Sequence, residues 1–565
     1  MKIICKNIIA ALICCLLFTD SQSAEMEVNI ADFMKYQREG NDATPVIAEA
    51  LNYCRQVNAT KLVFPKGIYN FKRDFAIEKY VFMSNNDEGL KRFVFDLTDM
   101  SNLEIDGQGS TFLLTGFLSP FLLENSSNIS FRNFSIDYTR TFHSEGTILR
   151  VDKNSIDIEF SKQFPYKIDH TTLLFTDNNK TIYPWSDLLE FDPIKKETAF
   201  MAKDLWVGSR IPVKEVKPGV IRILSPEVKG KAGNVMVFAS GHRLVPAFNI
   251  SNSTGITFNS VNIYHCGGMG IVAQNSRDIS LFGVRVTPSP GSGRIISITA
   301  DATHFSNCSG KITMINCLFE NQKDDATNIH GIYSKITKVI SPFDVEVRLV
   351  HPEQYGFEYL KPDVNIEFAD GPGIITYANN TVKTTIRLNK EYTRIHLANA
   401  MAPKTKPGDV IASTMGYPEV LIKDCVIRGN RARGFLLNSR GKTVVENNFF
   451  HVPGAAILFE GDASFWFEQS GVSNVLIRNN TFDNCNYGVW GNACIQVGTG
   501  IAKNRRPLSR YHKNIVIENN IFKIFDPRLI NAYCVDGLTF RNNTIRKDTS
   551  YITQFPDAKP FVIES

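Results

Sequence analysis

Three aspartates in one short stretch are the residues of this chain best suited to acid–base chemistry. The triplet Asp-Ala-Thr begins at Asp301 and again at Asp325, 24 positions later, and Asp324 directly precedes the second copy. If each triplet lies on one coil of a repetitive β-structure, the two copies stack at the strand spacing of roughly 4.8 Å. Carboxylates held so close repel one another, which raises at least one pKa and retains a shared proton near neutral pH. A general acid and a general base need this arrangement.

Two non-catalytic interpretations apply to the same acids. Aspartates at the turns of a solenoid commonly accept hydrogen bonds from backbone amides, and a cluster of carboxylates also suits calcium. Both triplets begin strand-like segments and lie outside the Asn-rich turns, which favours a reactive cluster. No CxxC or HExxH spacing occurs, so the sequence offers no zinc site. We predict that the protein needs no metal and no other cofactor.

The elements that must position these acids are short β-branched segments ending in Asn-rich turns. Equivalent segments begin at Ile256 and Ile279, and again at Leu421 and Val444, each pair 23 residues apart. Asparagines stacked at one turn position can hydrogen-bond to one another along the stack without any functional role. This period predicts an all-β chain folded as a parallel β-helix.

The segment after the N-terminal leader resembles the start of right-handed parallel β-helices of the pectin-lyase-like superfamily. Residues 44–57 have helical periodicity, residues 62–69 form a strand, an FPxGxY-type turn and a strand, and residues 103–109 resemble a coil of that superfamily. A helix at this place would cover the open edge of the first coil. The resemblance implies a right-handed β-helix with an N-terminal helical cap.

Two long stretches interrupt the period with alternating strands that lack the Asn turns, and we predict that each is an inserted antiparallel, barrel-like β module. Insertions in a solenoid often project from its binding face, and the second begins directly after His330-Gly331, so we expect it to wall a cleft. The predicted organisation is a signal peptide (1–24), a cap with the first coils (25–141), a first module (142–245), core coils with the acids (246–332), a second module (333–416) and C-terminal coils (417–565).

Composition and charge limit the partners and the compartment. Of 565 residues, 43% are hydrophobic and 21% charged, and the net charge of +5 without Lys/Arg runs argues against nucleic acid. Lys2 and Lys6 precede an apolar run that ends at Phe18, which predicts a secretory signal and export to the periplasm, cell surface or medium. No stretch is long enough for a transmembrane segment. The oligomeric state is left open.

The cysteines beyond the leader fit buried thiols better than a disulfide framework. Several stand in Asn-Cys or Asp-Cys pairs that recur with the repeat, as at Cys317 and Cys425. A recurring position of this kind suits a small inward-facing residue. Neither the spacing nor the length of the chain requires bridges.

Further residues could contact a ligand beside the acids. Arg433 falls at the offset of Asp325 on the following coil once the second module is skipped, where a cation would hold one acid ionised or bind a hydroxyl group. A histidine follows each triplet, and a tryptophan face stacks well on a sugar ring, although structural roles are common for both residue types. The candidate substrate-binding set is Arg294, His304, Asn328, His330, Arg433, Glu460 and Trp466.

The acids themselves resemble a known motif pair. Thr299-Ala-Asp301 and Asp324-Asp325 are similar to the NTD and DD motifs of polygalacturonases in glycoside hydrolase family 28. There the first Asp of DD is the acid and the other two hold the attacking water. By that analogy Asp324 would be the general acid, and Asp301 and Asp325 would position and deprotonate water. Thr299 departs from the Asn of that family, and its Gly-His-Gly and Arg-x-Lys motifs are not reproduced.

A closer resemblance runs nearly the length of the chain. Residues 241–249, 266–270, 300–305 and 324–330, together with the two-module layout, resemble glycoside hydrolase family 110. That resemblance implies an exo-acting, inverting α-1,3-galactosidase that removes terminal galactose from blood group B-type (branched) or linear α-1,3-galactosyl glycans. The partner would be a carbohydrate substrate.

Two other functions are compatible with a β-helix. A polysaccharide lyase would use the acids to hold calcium against a uronate while Arg433 acts as base. A non-catalytic glycan-binding solenoid would need no acid cluster, so the repeated triplet argues against it.

Overall fold

Parallel strands stacked in coils form the body of the molecule, in a computed structural model that describes residues 26–208 and 210–564. The predicted signal peptide lies outside the described residues. Ile256 pairs with Ile279 and Leu421 with Val444, so the predicted register of the coils is confirmed. The fold prediction of an all-β parallel β-helix is therefore confirmed. None of the described helices is long and apolar enough to cross a bilayer.

One sheet of 20 strands follows two sides of the coils. In early coils the chain runs through both sides as one long strand, and in later coils it breaks at the Asn turn into two. The strands are Glu27–Asn29, Lys61–Val63, Ile68–Phe71, Ser101–Leu114, Ser127–Tyr138, Thr254–Ile263, Arg277–Phe282, Arg285–Val286, Ser309–Ile315, Leu318–Glu320, Glu419–Lys423, Val426–Arg428, Thr443–Glu446, Phe449–His451, Val475–Arg478, Thr481–Asp483, His512–Glu518, Ile521–Ile524, Val535–Arg541 and Thr544–Lys547.

A second stack of strands forms the remaining side, which carries the candidate site. Its interior face is apolar, as in the parallel rings of Phe121 and Phe248, whose centroids are 4.5 Å apart. Its strands are Ile77–Val81, Gly89–Asp96, Ser119–Glu124, Phe248–Ser251, Ile271–Gln274, Thr303–Ser306, Thr327–Val339, Phe435–Leu437, Ile457–Phe459, Ile495–Val497, Ile530–Ala532 and Phe561–Ile563.

The N-terminal end is covered by helix α1, Thr44–Val57. Its buried face, which includes Val46, Ile47 and Leu51, belongs to the same apolar core as the first coils. The cap therefore shields the strand edge that the first coil would otherwise expose. Short 3-10 helices occur at Ile30–Tyr36, Glu39–Asn41, Arg73–Phe75, Pro352–Gln354 and Lys503–Leu508.

The first interruption is an antiparallel module with its own apolar core, centred on residues such as Ile158, Phe175 and Phe238. It begins with Ser144–Val151 and returns to the coils after Val235–Ala239, which pairs with that first strand. Its other strands are Ile156–Phe160, Tyr166–Asp169, Thr172–Thr176, Ile182–Tyr183, Asp187–Asp192, Glu197–Thr198, Leu205–Trp206, Val213–Lys217 and Val220–Ile223.

The second module grows directly out of a coil strand. Thr327–Val339 pairs in parallel with Phe435–Leu437 at its start and antiparallel with module strands further along. The strand that follows the aspartates therefore ties the coil rigidly to the module. The remaining module strands are Asp344–Arg348, Asn365–Asp370, Ile375–Arg387, Tyr392–Leu397 and Val410–Ser413, and Glu468–Gln469 from a later coil joins the edge of Thr327–Val339.

Two neighbouring residues in each Asn-rich turn have different structural roles. The first asparagine, such as Asn479 (φ 57°), takes the left-handed conformation that ends the strand. The second forms a buried ladder. Nδ2 of Asn448 donates to Oδ1 of Asn480 over 3.0 Å, and Nδ2 of Asn480 donates to Oδ1 of Asn520 over 3.0 Å. Cys317 and Cys425 occupy the same ladder position in earlier coils, with the Cys317 N–H 3.4 Å from the Cys425 sulfur. All eight cysteines in the described part of the chain are buried free thiols.

Substitution Asn480→Ala should lower the free energy of unfolding by about 2–4 kcal/mol, because the buried N–H groups of Asn448 lose their acceptor. The matched control Asn479→Gly should change stability little, since glycine adopts a positive φ without strain. Chemical denaturation of both variants tests this difference. Equal destabilisation by the two substitutions would contradict the ladder.

Candidate active site

A cavity of about 260 Å³ lies over the second stack of strands, between the two modules. The coils supply its floor, the first module supplies Asp187, Asp204 and Trp206, and the second supplies Glu353. Among the described residues that line it are eight carboxyl groups and four cationic side chains. So many acids in one recess cannot all be ionised at low cost, so some hold protons near neutral pH.

The two Asp-Ala-Thr triplets stack as the period predicts. Thr303 pairs with Thr327 in parallel register, which sets Asp301 against Asp325, and the Asp325 N–H donates to Oδ1 of Asp301 over 3.2 Å. Asp324 joins them, and one carboxylate oxygen from each residue lies within 4.8 Å of the others. The predicted cluster therefore exists, and it lies at the start of two adjacent strands.

Each member of the cluster has a cationic or imidazole partner. Arg243 donates to Oδ2 of Asp324 over 3.0 Å, and Arg431 donates to Oδ1 of the same carboxylate over 2.6 Å. Arg433 binds Asp325 through its backbone N–H (2.9 Å), its Nε (3.1 Å) and its Nη2 (2.9 Å). The coil register explains this last pair, because Thr327 is aligned with Phe435 and residue 325 therefore with residue 433.

These surroundings divide the three acids electrostatically. Burial raises the pKa of Asp301 to about 7, and repulsion from Asp324 acts in the same direction. Burial also raises the pKa of Asp325 to about 7, in spite of its arginine partner. For Asp324 burial opposes the charge, but the guanidinium groups of Arg431 and Arg243 outweigh it and lower its pKa. In the unliganded pocket Asp324 is ionised, and the retained proton belongs to the other two acids.

Two histidines form a hydrogen-bond chain behind Asp301. His330 Nδ1 lies 2.7 Å from the Gly331 carbonyl oxygen, so it carries a proton, and its Nε2 lies 2.9 Å from Nε2 of His304. Nδ1 of His304 lies 2.8 Å from Oδ2 of Asp301, so an imidazole ring is the side-chain partner of this carboxyl group. Burial lowers the pKa of His304. The two imidazoles therefore link Asp301 to the strand that continues into the second module.

A second buried ion pair supports the turn that carries Asp324. Lys323 binds Asp187 of the first module. Burial lowers the pKa of Lys323 to about 7, and the charge of Arg431 adds to that effect. Arg431 also binds Asp204 over 2.8 Å, and the Trp490 indole N–H donates to the same Asp204 carboxylate over 3.2 Å. The first module thus anchors both Lys323 and Arg431.

Most of the predicted ligand-contacting residues reach the cavity. His304, Asn328, Arg433, Glu460 and Trp466 all line it. His330 is fully buried behind His304 and does not line the cavity, so it supports the site without contacting its contents.

The placement of Arg294 among the substrate contacts is wrong. Its guanidinium forms a two-pronged ion pair with Asp137, at 2.9 and 3.0 Å, and lines a different cleft. Proximity to the acids in sequence misled the prediction, because residue 294 precedes the turn that carries the chain to the catalytic side of the coil.

Five further residues of the site were not in the predicted set, and three of them had no signal in the sequence. They come from modules or turns without a period: Arg243, Arg431, Asp187, Asp204 and Glu353. Arg243 could have been suspected from its place in the conspicuous segment 241–249, and Arg431 from its neighbour Arg433.

The geometry of the three acids also matches that of a metal-ligand set, since their oxygens lie within 4.8 Å of one another. Every one of these carboxylates, however, already binds an arginine or a histidine. A divalent cation would have to displace those partners or be repelled by their charge. The donor set therefore suits proton chemistry better than calcium binding.

The spacing departs from the usual rule for inverting glycosidases. That rule separates the two carboxyl groups by roughly 6.5–9.5 Å, and about 5–5.5 Å is typical of retention. The nearest oxygens of the three aspartates lie within 4.8 Å, because adjacent coils set the distance. Inversion is therefore supported by the family resemblance and not by this separation.

Comparisons with known proteins agree with the architecture. Family models of GLAA-B β-barrel domains I and II match residues 144–236 and 344–411, and a model of the right-handed β-helix region matches residues 410–559. The A-module of a mannuronan C-5 epimerase from Azotobacter vinelandii aligns with 94% of this chain and 98% of its own, at 9% identity and a TM-score of 0.38. That structural likeness is too distant to bear on function.

Sequence relatives cover nearly the whole chain. Alpha-1,3-galactosidase A of Shewanella woodyi is 35% identical over 538 residues, which span 94% of this chain and 88% of that protein. Alpha-1,3-galactosidase B of Bacteroides thetaiotaomicron is 32% identical over 546 residues, 95% of this chain and 88% of that protein. With this identity and both barrel domains matched, the chain belongs to the GLAA-B family of α-1,3-galactosidases, the glycoside hydrolase family 110 that its motifs indicated.

Proposed function

We propose that the protein is an exported exo-α-1,3-galactosidase that releases terminal galactose from blood group B-type and linear α-1,3-galactosyl glycans with inversion. The observation that carries the proposal is the stack of Asp301 on Asp325 beside Asp324, in a pocket lined by both modules. A pocket of about 260 Å³ with walls from both modules suits one terminal sugar, whereas cleavage within a polymer needs a long groove. The names of the relatives support the α-1,3-galactosyl linkage.

The three acids divide the reaction by exposure and charge. Asp324 has the most exposed side chain, 12% accessible against 5% for Asp301 and 4% for Asp325, so it is the carboxylate that meets the glycosidic oxygen. In the free enzyme, however, the proton rests on the other two acids. We infer that substrate binding moves this proton to Asp324, which donates it to the leaving oxygen. The same transfer leaves Asp301 and Asp325 ionised to deprotonate the attacking water.

The cations of the pocket have complementary roles in this scheme. Arg243 and Arg431 offer N–H donors at its edge and can bind hydroxyl groups of the sugar as they release Asp324. Arg433 holds Asp325 in place through three hydrogen bonds.

The lyase alternative requires Arg433 to act as a base. Burial opposes the charge of this guanidinium, but Asp325 and Asp324 outweigh burial and raise its pKa above the ordinary value. Arg433 is therefore the group of the pocket least able to take up a proton, and the hydrolase is favoured.

The proposed release of galactose can be followed by NMR. NMR of reactions with a branched B trisaccharide and with linear galactosyl-α-1,3-galactose should show single galactose units released first as the β-anomer. Oligosaccharide products from a longer chain would contradict exo action. α-Galactose as the first product would show retention, the outcome that the close spacing of the acids alone would suggest.

Replacing the acids separates their roles. Each of Asp301→Ala, Asp324→Ala and Asp325→Ala should lower kcat by roughly 10²–10⁴-fold. A nitrophenyl α-galactoside, whose leaving group needs no proton, should restore much of the rate of Asp324→Ala only. Restoration in Asp301→Ala or Asp325→Ala instead would assign the role of general acid to that residue.

The pH profile follows from the raised pKa values. Burial raises the pKa of both Asp301 and Asp325 to about 7, so the cluster loses its catalytic proton as pH rises through that value. We expect kcat/KM to fall on the alkaline side with an apparent pKa near 7. A profile that stays flat to pH 9 would refute the shared proton.

Chelation should leave activity unchanged, because arginine and histidine side chains already bind the carboxylates that would hold a metal. The measurement is galactose release before and after dialysis against a chelator. Activity lost on dialysis and restored by calcium would identify a metal-dependent enzyme.

A further inference from the structure

Two tryptophans stand at the mouth of the catalytic pocket, one on each wall. Trp206 of the first module lines the pocket and is 65% exposed. Trp466, which lines the pocket from the loop that precedes Glu468–Gln469, is 37% exposed. The charged groups of the floor are buried, so the pocket changes from a polar floor to an aromatic mouth. Their exposed indole rings leave aromatic surface available to a ligand at the entrance of the pocket.

The position of Trp206 is fixed by the first-module strand that carries Asp187. Its short strand pairs with the strand of Asp187, residue against residue, and Asp187 binds Lys323 next to Asp324. The ring lies against the backbone of Gly241, where an added Cβ would come within 2.9 Å of it. The indole is therefore placed in a defined position relative to the acids in spite of its exposure.

Trp466 is fixed independently of the first module. The carboxylate of Asp462 accepts backbone N–H groups of the loop, including that of Phe465 at 2.9 Å. Gln354 of the second module donates to the Trp466 carbonyl over 2.7 Å, and the His351 and Trp466 rings lie 4.4 Å apart. Each module therefore holds one of the two aromatic side chains.

We propose that Trp206 and Trp466 form a binding site for the second sugar, the pyranose that leaves when the terminal galactose is cleaved. This inference rests on the proposed function: an enzyme that encloses a terminal sugar must leave the next one at the mouth. The apolar C–H face of a pyranose stacks on an aromatic ring, and ordered indoles offer this contact with little loss of entropy. Trp206 is then a specificity-determining residue for the leaving sugar.

The test compares two substrates that share the galactose and differ in the leaving group. Galactosyl-α-1,3-galactose fills both positions, whereas α-galactosyl fluoride leaves the mouth empty. Trp206→Ala should lower the ratio of kcat/KM for the disaccharide to that for the fluoride roughly tenfold. Trp206→Phe should retain most of the ratio. Ile194→Ala, an exposed apolar change in the same module that does not line the pocket, should alter neither rate.

Gly241→Ala gives a second route to the same result, since its methyl group must displace the Trp206 ring and should also lower the ratio. Wild-type enzyme inactive on both substrates would overturn the proposed function and the second-sugar site with it. Wild-type enzyme active on both, with the ratio unchanged in Trp206→Ala, would overturn the second-sugar site alone.

Discussion

The stacking of Asp301 on Asp325 is the constraint on which the site depends. Parallel coil strands fix the distance between these acids at the strand spacing, so their repulsion cannot be relieved by moving apart. The same register then brings Arg433 against Asp325 from the following coil. In a β-helix, hydrogen bonds between the strands of many coils hold these charged residues close together, whereas residues on a flexible chain would move apart.

The two inserted modules add the walls of the pocket to the floor that the coils form. The coils alone would expose the three acids on an open sheet face, where water would screen their interaction. The first module adds Asp187, Asp204 and Trp206, and the second adds Glu353, so the acids are enclosed and their pKa values shift apart. Burial in this pocket therefore contributes to the different pKa values of the three acids.

Each aspartate of the cluster has its own partners, although carboxyl groups outnumber cations among the described residues that line the pocket. Arg243 and Arg431 each bind one oxygen of the Asp324 carboxylate, whereas Asp301 has an imidazole as its side-chain partner. The consequence is one ionised acid beside acids that keep a proton. In this way three residues of one type acquire different chemical states from their neighbours alone.

The sequence by itself determined the features that follow from the repeat length of the coils. The register of the coils, the stack of Asp301 on Asp325 and the offset of Arg433 could all be predicted, because residues one coil apart become neighbours in a β-helix. Tertiary structure alone decided which groups outside the period meet them. Arg243, Arg431 and Asp204 come from turns and a module whose placement no local pattern encodes, and Arg294, close in sequence, turns away to pair with Asp137. The charge state of Asp324 was equally beyond the sequence, since a pKa depends on the burial and the cations that surround the folded carboxylate.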